Sequence, residues 1–312
     1  MKVRLLLCAL LALVPIAGAA QAPPALRVTT TYIDSGAEPF YAQDLGIFQK
    51  YGLNVELIPG KNGAAMVASV AGGAADIGYS DVGALSTAYS KGVKFVAVAP
   101  AALWTDAAPV NQLIVEKTSP IHTAKDLSGK VLAVPGLNTG TEFASRAWID
   151  KNGGDSGSVK FIELPYAAMS AALDAGRIDA ALVAEPFLAA AKKNGRLLAY
   201  PDDAIAKEDL RTVWFASPDW ATAHPDVVKR FAAAMRDTAI WANQKANQAK
   251  SAEILVKYTS VDPSVIASII RAAYGVELTA SLIQPQIDVT ARYSNFKTFP
   301  AKELIDPDVS SK

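Results

Sequence analysis

Ala171-Ala172-Leu173-Asp174-Ala175-Gly176-Arg177-Ile178-Asp179-Ala180-Ala181-Leu182-Val183-Ala184-Glu185-Pro186-Phe187 is the stretch whose reading decides the fold. Ala171, Ala172 and Leu173 read as the last turn of a helix, and Gly176 stands where a helix C-terminus takes a residue tolerant of left-handed backbone. Ile178, Ala180, Leu182 and Val183 then make a short apolar run, the pattern of a strand buried on both faces of a parallel sheet. Pro186 cannot continue the ladder, so the Glu185 carboxylate is left at the C-terminal end of that strand, where open α/β sheets bind ligands.

The same pattern occurs earlier as Val70-Ala71-Gly72-Gly73-Ala74-Ala75-Asp76-Ile77-Gly78-Tyr79-Ser80-Asp81. Gly73 matches Gly176, Asp76 matches Asp179, and Ser80-Asp81 falls near the place of Glu185. Two copies of helix, Gly-x-x-Asp, strand and polar loop predict two similar α/β lobes that aim their strand ends at a shared cleft. Asp76 and Asp179 are expected to tie the turns before their strands instead of touching a ligand.

The chain of 312 residues is long enough for real cores, and its 30 basic and 30 acidic residues leave none of the basic excess of a nucleic-acid surface. Lys2 and Arg4, the apolar run Leu5 to Val14 and Gly18-Ala19-Ala20 form a signal-peptide pattern over residues 1–20, with cleavage before Gln21, so the protein is expected in the periplasm. No later segment approaches the roughly 20 apolar residues of a membrane helix. The single cysteine, Cys8, lies in the apolar run, which leaves the exported chain without thiol chemistry. His122 and His224, the two histidines, have no metal-ligand spacing, and the nucleophile-elbow, Walker and dinucleotide motifs are absent. A chain this poor in catalytic groups is expected to bind, without a cofactor or metal, and not to convert.

Taken in order, Leu26–Tyr32 reads as the first strand, Phe40–Gly52 as a helix, and Leu53–Ile58 as the second strand. Lys61-Asn62-Gly63 turns into the helix of the first copy. Pro135-Gly136-Leu137-Asn138-Thr139-Gly140-Thr141 is its counterpart before a helix over 142–152. The first lobe is assigned residues 26–116 and 215–305, with the C-terminal helices packed on it, and the second lobe 117–214. Asn111–Glu116 is read as a strand before the first crossing and Thr212–Ser217 as the return. The last ten residues are expected to fray.

At these residues the chain resembles the nitrate/sulfonate/taurine and thiamine-precursor group of periplasmic substrate-binding proteins of ABC importers. The likeness rests on Pro39-Phe40-Tyr41-Ala42 with Gly46-Ile47-Phe48, Tyr51-Gly52-Leu53-Asn54-Val55, Gly73-Ala74-Ala75-Asp76-Ile77-Gly78 and Asp126-Leu127-Ser128-Gly129-Lys130-Val131. It continues through Ala172 to Ala180, Glu185-Pro186-Phe187 and His224-Pro225-Asp226-Val227-Val228. The resemblance implies an α/β fold of the two-lobed type II periplasmic-binding class, each lobe a mostly parallel sheet flanked by helices. It also implies two hinge crossings, a small ligand held between the lobes by a monomer, and a membrane permease as partner.

The candidate ligand residues follow from position. Asn62, Gly63, Asn138, Thr139, Gly140 and Thr141 lie at helix starts that face the cleft, with ordinary capping as the alternative use. Ser80, Asp81 and Glu185 lie at strand ends. Glu38 lies in the loop after the first strand, and Tyr32, Phe40, Trp104 and Trp214 are candidate flat walls, although an aromatic is more often core. With Arg146 read as a solvated charge and Lys61 pointing outward, no buried cation offers itself. That favours an organic ligand, whether sulfonate, aromatic or carboxylate acid or pyrimidine-like, over a small hydrated anion such as nitrate. Two other roles compete: an exported sensor subunit, and a thiamine-pyrimidine-synthesis-like enzyme. The cysteine-bearing motif that the resemblance suggests for the enzyme has no counterpart in the exported chain.

Overall fold

A computed structural model describes residues 25–309, so the expected signal peptide lies outside the described residues. Its two large sheets repeat one plan. In the first, the strands lie in the order Val55–Pro59, Leu26–Thr30, Ile77–Asp81, Thr212–Ala216, Val96–Pro100. In the second the order is Lys160–Glu163, Val131–Val134, Ala180–Ala184, Asn111–Glu116, Gly195–Ala199. In each sheet three parallel strands are followed by one strand antiparallel to both neighbours, and that strand has just arrived from the other lobe.

This corrects the expected boundaries. Asn111–Glu116 belongs to the second sheet and Thr212–Ala216 to the first, because each pairs across its whole length with the sheet it enters. The crossings themselves lie just before them. There Ala102–Thr105 pairs antiparallel with Glu208–Leu210, and Ala273–Tyr274 adds a third strand. These strands of two to four residues are too short for a periodicity to register.

The repeated Gly-x-x-Asp works alike in both halves. Gly73 and Gly176 end their helices at φ +72° and +64°, in the left-handed region. Asp76 accepts from the backbone and guanidinium of Arg27 at 2.8 and 2.6 Å, and Asp179 accepts from the Val131 N–H at 2.8 Å. Each carboxylate thus ties the start of the neighbouring parallel strand, and neither faces the cleft.

Each sheet is buried on both faces: Val28, Ile77 and Trp214 against Val213 and Phe215 in the first, and Leu132 against Ala181 and Val183 in the second. The helices Pro225–Ala242 and Gln248–Thr259 pack on Glu38–Asp44, and Ala280–Ser294 touches helices of both lobes. The helix expected over 40–52 is two, Glu38–Asp44 and Ile47–Lys50, divided at Gly46 with φ +69°. The expected fraying fails for Leu304 and Ile305, which are buried, with the Asp306 N–H donating to Ala97 O at 3.0 Å. No described helix is long and apolar enough to cross a membrane.

Candidate functional site

The C-terminal ends of the parallel strands in the two sheets face one another, and the lobes touch there. The N–H of Gly140 donates to Asp81 Oδ1 at 2.5 Å, and Asn62 Nδ2 to Pro135 O at 3.3 Å. Thr87 Oγ1 donates to Asn138 O at 3.4 Å, and the Asp34 N–H to Glu185 O at 3.1 Å. The space left between the lobes is about 60 Å³.

Two helix starts border it. Asn62 caps Gly63–Ala71 by accepting from the Ala65 N–H at 2.9 Å. Thr139 precedes Gly140–Lys151; its hydroxyl donates to Gly136 O and shares a 2.7 Å contact with the Thr141 hydroxyl. Both helix starts thus stand at the cavity, and the N-terminal end of a helix suits an anionic group. Close approach depends on glycine at one point above all: a Cβ on Gly83 would stand 2.6 Å from Gly140 N and 2.7 Å from its Cα. A Cβ on Gly63 would come to 2.5 Å from Asp81 Oδ2 and 2.8 Å from Ser80 Oγ.

Asn62, Gly63, Asp81, Thr139 and Thr141 line the cavity. Gly140 reaches Asp81 from its edge, and Ser80 is fully buried beside Gly63 with its hydroxyl unpaired. Asn138 turns away at φ +57°, and Glu185 faces a separate pocket of about 10 Å³ with Asp34, Val110 and Ile270.

The aromatic candidates do not line the cavity. Phe40 stacks on Tyr258 at 4.5 Å, with Tyr32 against its edge at 5.0 Å. Trp104 is buried against Tyr200 and donates to Ala206 O at 3.1 Å. Trp214 sits between Tyr79 and Phe231, where its indole N–H donates to Glu38 Oε2 at 3.0 Å. Glu38 is therefore a core partner of that tryptophan, and burial holds its carboxyl well above the ordinary range although the indole N–H favours the charge. The physical reason is volume: large rings fill a core more often than they wall a pocket. Tyr79 and Tyr166 are the rings at the cavity.

Arg211 overturns the expectation that no buried cation is present. It is 1% exposed, lies between the hinge strand Glu208–Leu210 and Thr212–Ala216, and borders the cavity. Its Nε stands 2.8 Å from Asp202 Oδ1, and Nη1 donates to Gln286 Oε1 at 2.6 Å. Gln286 Nε2 donates in turn to Asp209. Burial opposes the guanidinium charge, but Asp202, Asp209 and Asp81 outweigh it and hold the group firmly protonated. Burial pushes Asp209 up to about 7 and also raises Asp202 and Asp81. The carboxylates at 202 and 209 flanking Arg211 were the sequence signal for it. Arg146 is tied to Glu142 at 2.7 Å and to Ser156 O at 3.0 Å, away from the cavity.

Glu185 is 7% exposed and one of its oxygens is unpaired. Burial pushes it up from 4.5 to about 7, with Lys192 pulling the other way and Asp34 adding to the rise. An acid raised on folding keeps a proton that the unfolded chain has released, so native stability declines as pH rises from about 4.5 to about 7. Glu185→Gln removes that part of the decline. In chemical denaturation at pH 5 and pH 8, the variant is expected to gain on the wild type at pH 8 only; an equal difference at both would refute it.

Two α/β lobes, joined by paired crossings and meeting around a small shared space, define a two-lobed ligand-capturing protein. The family model described as NMT1/THI5 like matches residues 37–249. The taurine-binding periplasmic protein of Escherichia coli K12 is 32% identical over 241 residues, 74% of this chain and 73% of that relative. The alkanesulfonate-binding protein SsuA from Xanthomonas axonopodis pv. citri, solved bound to MOPS, superposes with a TM-score of 0.74 at 19% identity, covering 93% of this chain and 97% of that one. The nitrate-binding protein NrtA from Synechocystis PCC 6803 gives 0.67 at 17% identity, over 80% and 70% of the two chains. The chain belongs to the NMT1/THI5-like family, as a solute-binding protein for a small ligand.

Proposed function

We propose that this chain captures a small sulfonate, of the size of taurine, in the periplasm and presents it as a closed monomer to the permease after removal of residues 1–20. The observation that carries this is Arg211 beside the cavity bordered by two helix starts, a cation and backbone donors around one small space. The 32% identity to a taurine-binding relative supports the same head group.

Size narrows the class further. A cavity of about 150 Å³ accommodates benzene, whereas this one is about 60 Å³, so the smaller the ligand the less the lobes must part to hold it. A two-carbon sulfonate needs the lobes to part slightly, and the contact best placed to give is the Asp81 hydrogen bond to the Gly140 N–H.

Thermal unfolding with taurine, short alkanesulfonates, nitrate and pyrimidines tests the reading. A ligand at a hundred times its Kd adds about 2.7 kcal/mol, which raises the Tm by several degrees in a chain of this size. The rise is expected with sulfonates. A rise with nitrate or pyrimidines alone would overturn the proposal.

A further inference from the structure

We propose that Gln286, on the helix Ala280–Ser294, is a positioning residue for the ligand: it fixes the guanidinium of Arg211 in the orientation that presents one edge to the cavity. The inference rests on the reading of Arg211 as the cation that meets the ligand. Gln286 is 1% exposed and lies beyond residues 37–249, the span that the family model matches. Ile283 and Ile287, fully buried in the core of the first lobe, hold its turn of the helix in place.

Two kinds of contact hold Arg211, and only one has direction. Nε stands 2.8 Å from Asp202 Oδ1, but neither atom finds hydrogen-bond geometry in that pair. Coulomb attraction depends on distance and leaves the guanidinium free to turn. The bond from Nη1 to Gln286 Oε1 at 2.6 Å is the one hydrogen bond that the Arg211 side chain makes among the described residues. Gln286 is itself oriented, because its Nε2 donates to Asp209 Oδ2. A flipped amide would set its N–H groups against the guanidinium and its oxygen against the carboxylate, so the carbonyl is held toward Arg211. Both terminal nitrogens of Arg211 stand 3.4 Å from where a Cβ on Gly140 would lie, at the helix start that borders the cavity. With Nη1 engaged by Gln286, Nη2 is left to the ligand. A donor already aimed at the anion spares the cost of ordering it on binding.

Isothermal titration of the wild type, Gln286→Met and Gln286→Glu with taurine and ethanesulfonate tests this. Methionine keeps the volume of glutamine and loses both polar ends, so it is expected to weaken both ligands about tenfold, the lower end of what a hydrogen bond to a charged group is worth. Glutamate keeps an oxygen for Nη1. Its carboxyl and that of Asp209, which burial already pushes up to about 7, can share one proton in place of the amide N–H. Gln286→Glu is therefore expected to bind within about threefold of the wild type. A side chain that merely filled space would give the opposite order, methionine tolerated and glutamate harmful. Methionine equal to the wild type, or glutamate no better than methionine, would overturn the role of Gln286 and leave the sulfonate reading intact. A wild type that bound neither ligand would overturn the sulfonate reading, and nitrogen-15 spectra of the unliganded protein would then decide Gln286, as they would if Gln286→Glu failed to fold. The two Nη groups of Arg211 are expected to give separate signals in the wild type, because the bond at Nη1 hinders rotation, and to merge in Gln286→Met. The same pattern in both proteins would overturn the proposal.

Discussion

Gly83→Ala weakens ligand binding by about ten- to a hundredfold while leaving the unliganded fold as stable as before or more so. The β-carbon it adds would stand 2.6 Å from Gly140 N and 2.7 Å from Gly140 Cα, and backbone atoms at the start of a helix cannot rotate away as a side chain would. The lobes must separate at this point by most of an ångström to restore ordinary contact. That separation holds the second lobe, with the start of the helix at Gly140, away from a ligand seated on the first, and losing one hydrogen bond to a charged ligand group, worth about 1.5–3 kcal/mol, converts to the stated loss of affinity. In the open form the methyl group meets nothing from the second lobe, and alanine favours a helix over glycine by about 1 kcal/mol. Titration with taurine, paired with a thermal scan of the unliganded variant, separates the two effects. Unchanged affinity would show that ligand closure does not bring residues 83 and 140 together.

Much of this site was legible because its signals are local. Asn62, Thr139 and the glycines beside them read as helix starts from the few residues around them, since capping depends on neighbours within one turn. The duplicated Gly-x-x-Asp was legible for the same reason: it ends one helix and begins one strand. The strands Asn111–Glu116 and Thr212–Ala216 are apolar runs that would satisfy either sheet, and the pairing that decides between them involves residues far away in sequence. Trp104 and Trp214 sat near the crossings, and nearness in sequence misled, because both rings turn into the core. Arg211 was missed for a different reason. An arginine between Leu210 and Thr212 looks like an edge charge unless Asp202 and Asp209 are counted with it.

Arg211→Met is expected to lower the stability of the protein by about 3–5 kcal/mol at neutral pH and to abolish sulfonate binding. Methionine preserves much of the volume, so the cost arises from charge. Asp202 is fully buried, stands 2.8 Å from the guanidinium, and would be left without a counter-ion, as would Asp209. Breaking a buried pair from one side is the costly way to break it. For a chain of this length the loss corresponds to a fall in Tm of about 10 °C. Without Arg211 to pull them down, both carboxyls rise further, and the deficit should shrink as pH falls and the two take up protons. Adding Asp202→Asn to Arg211→Met should recover part of the stability at pH 7 but none of the binding, because the lost cation faces the ligand and the repaired carboxylate does not. Chemical denaturation of the single and double variants at pH 5 and pH 8, beside taurine titration, distinguishes these roles. A double variant that regained affinity would show that Arg211 serves the hinge alone.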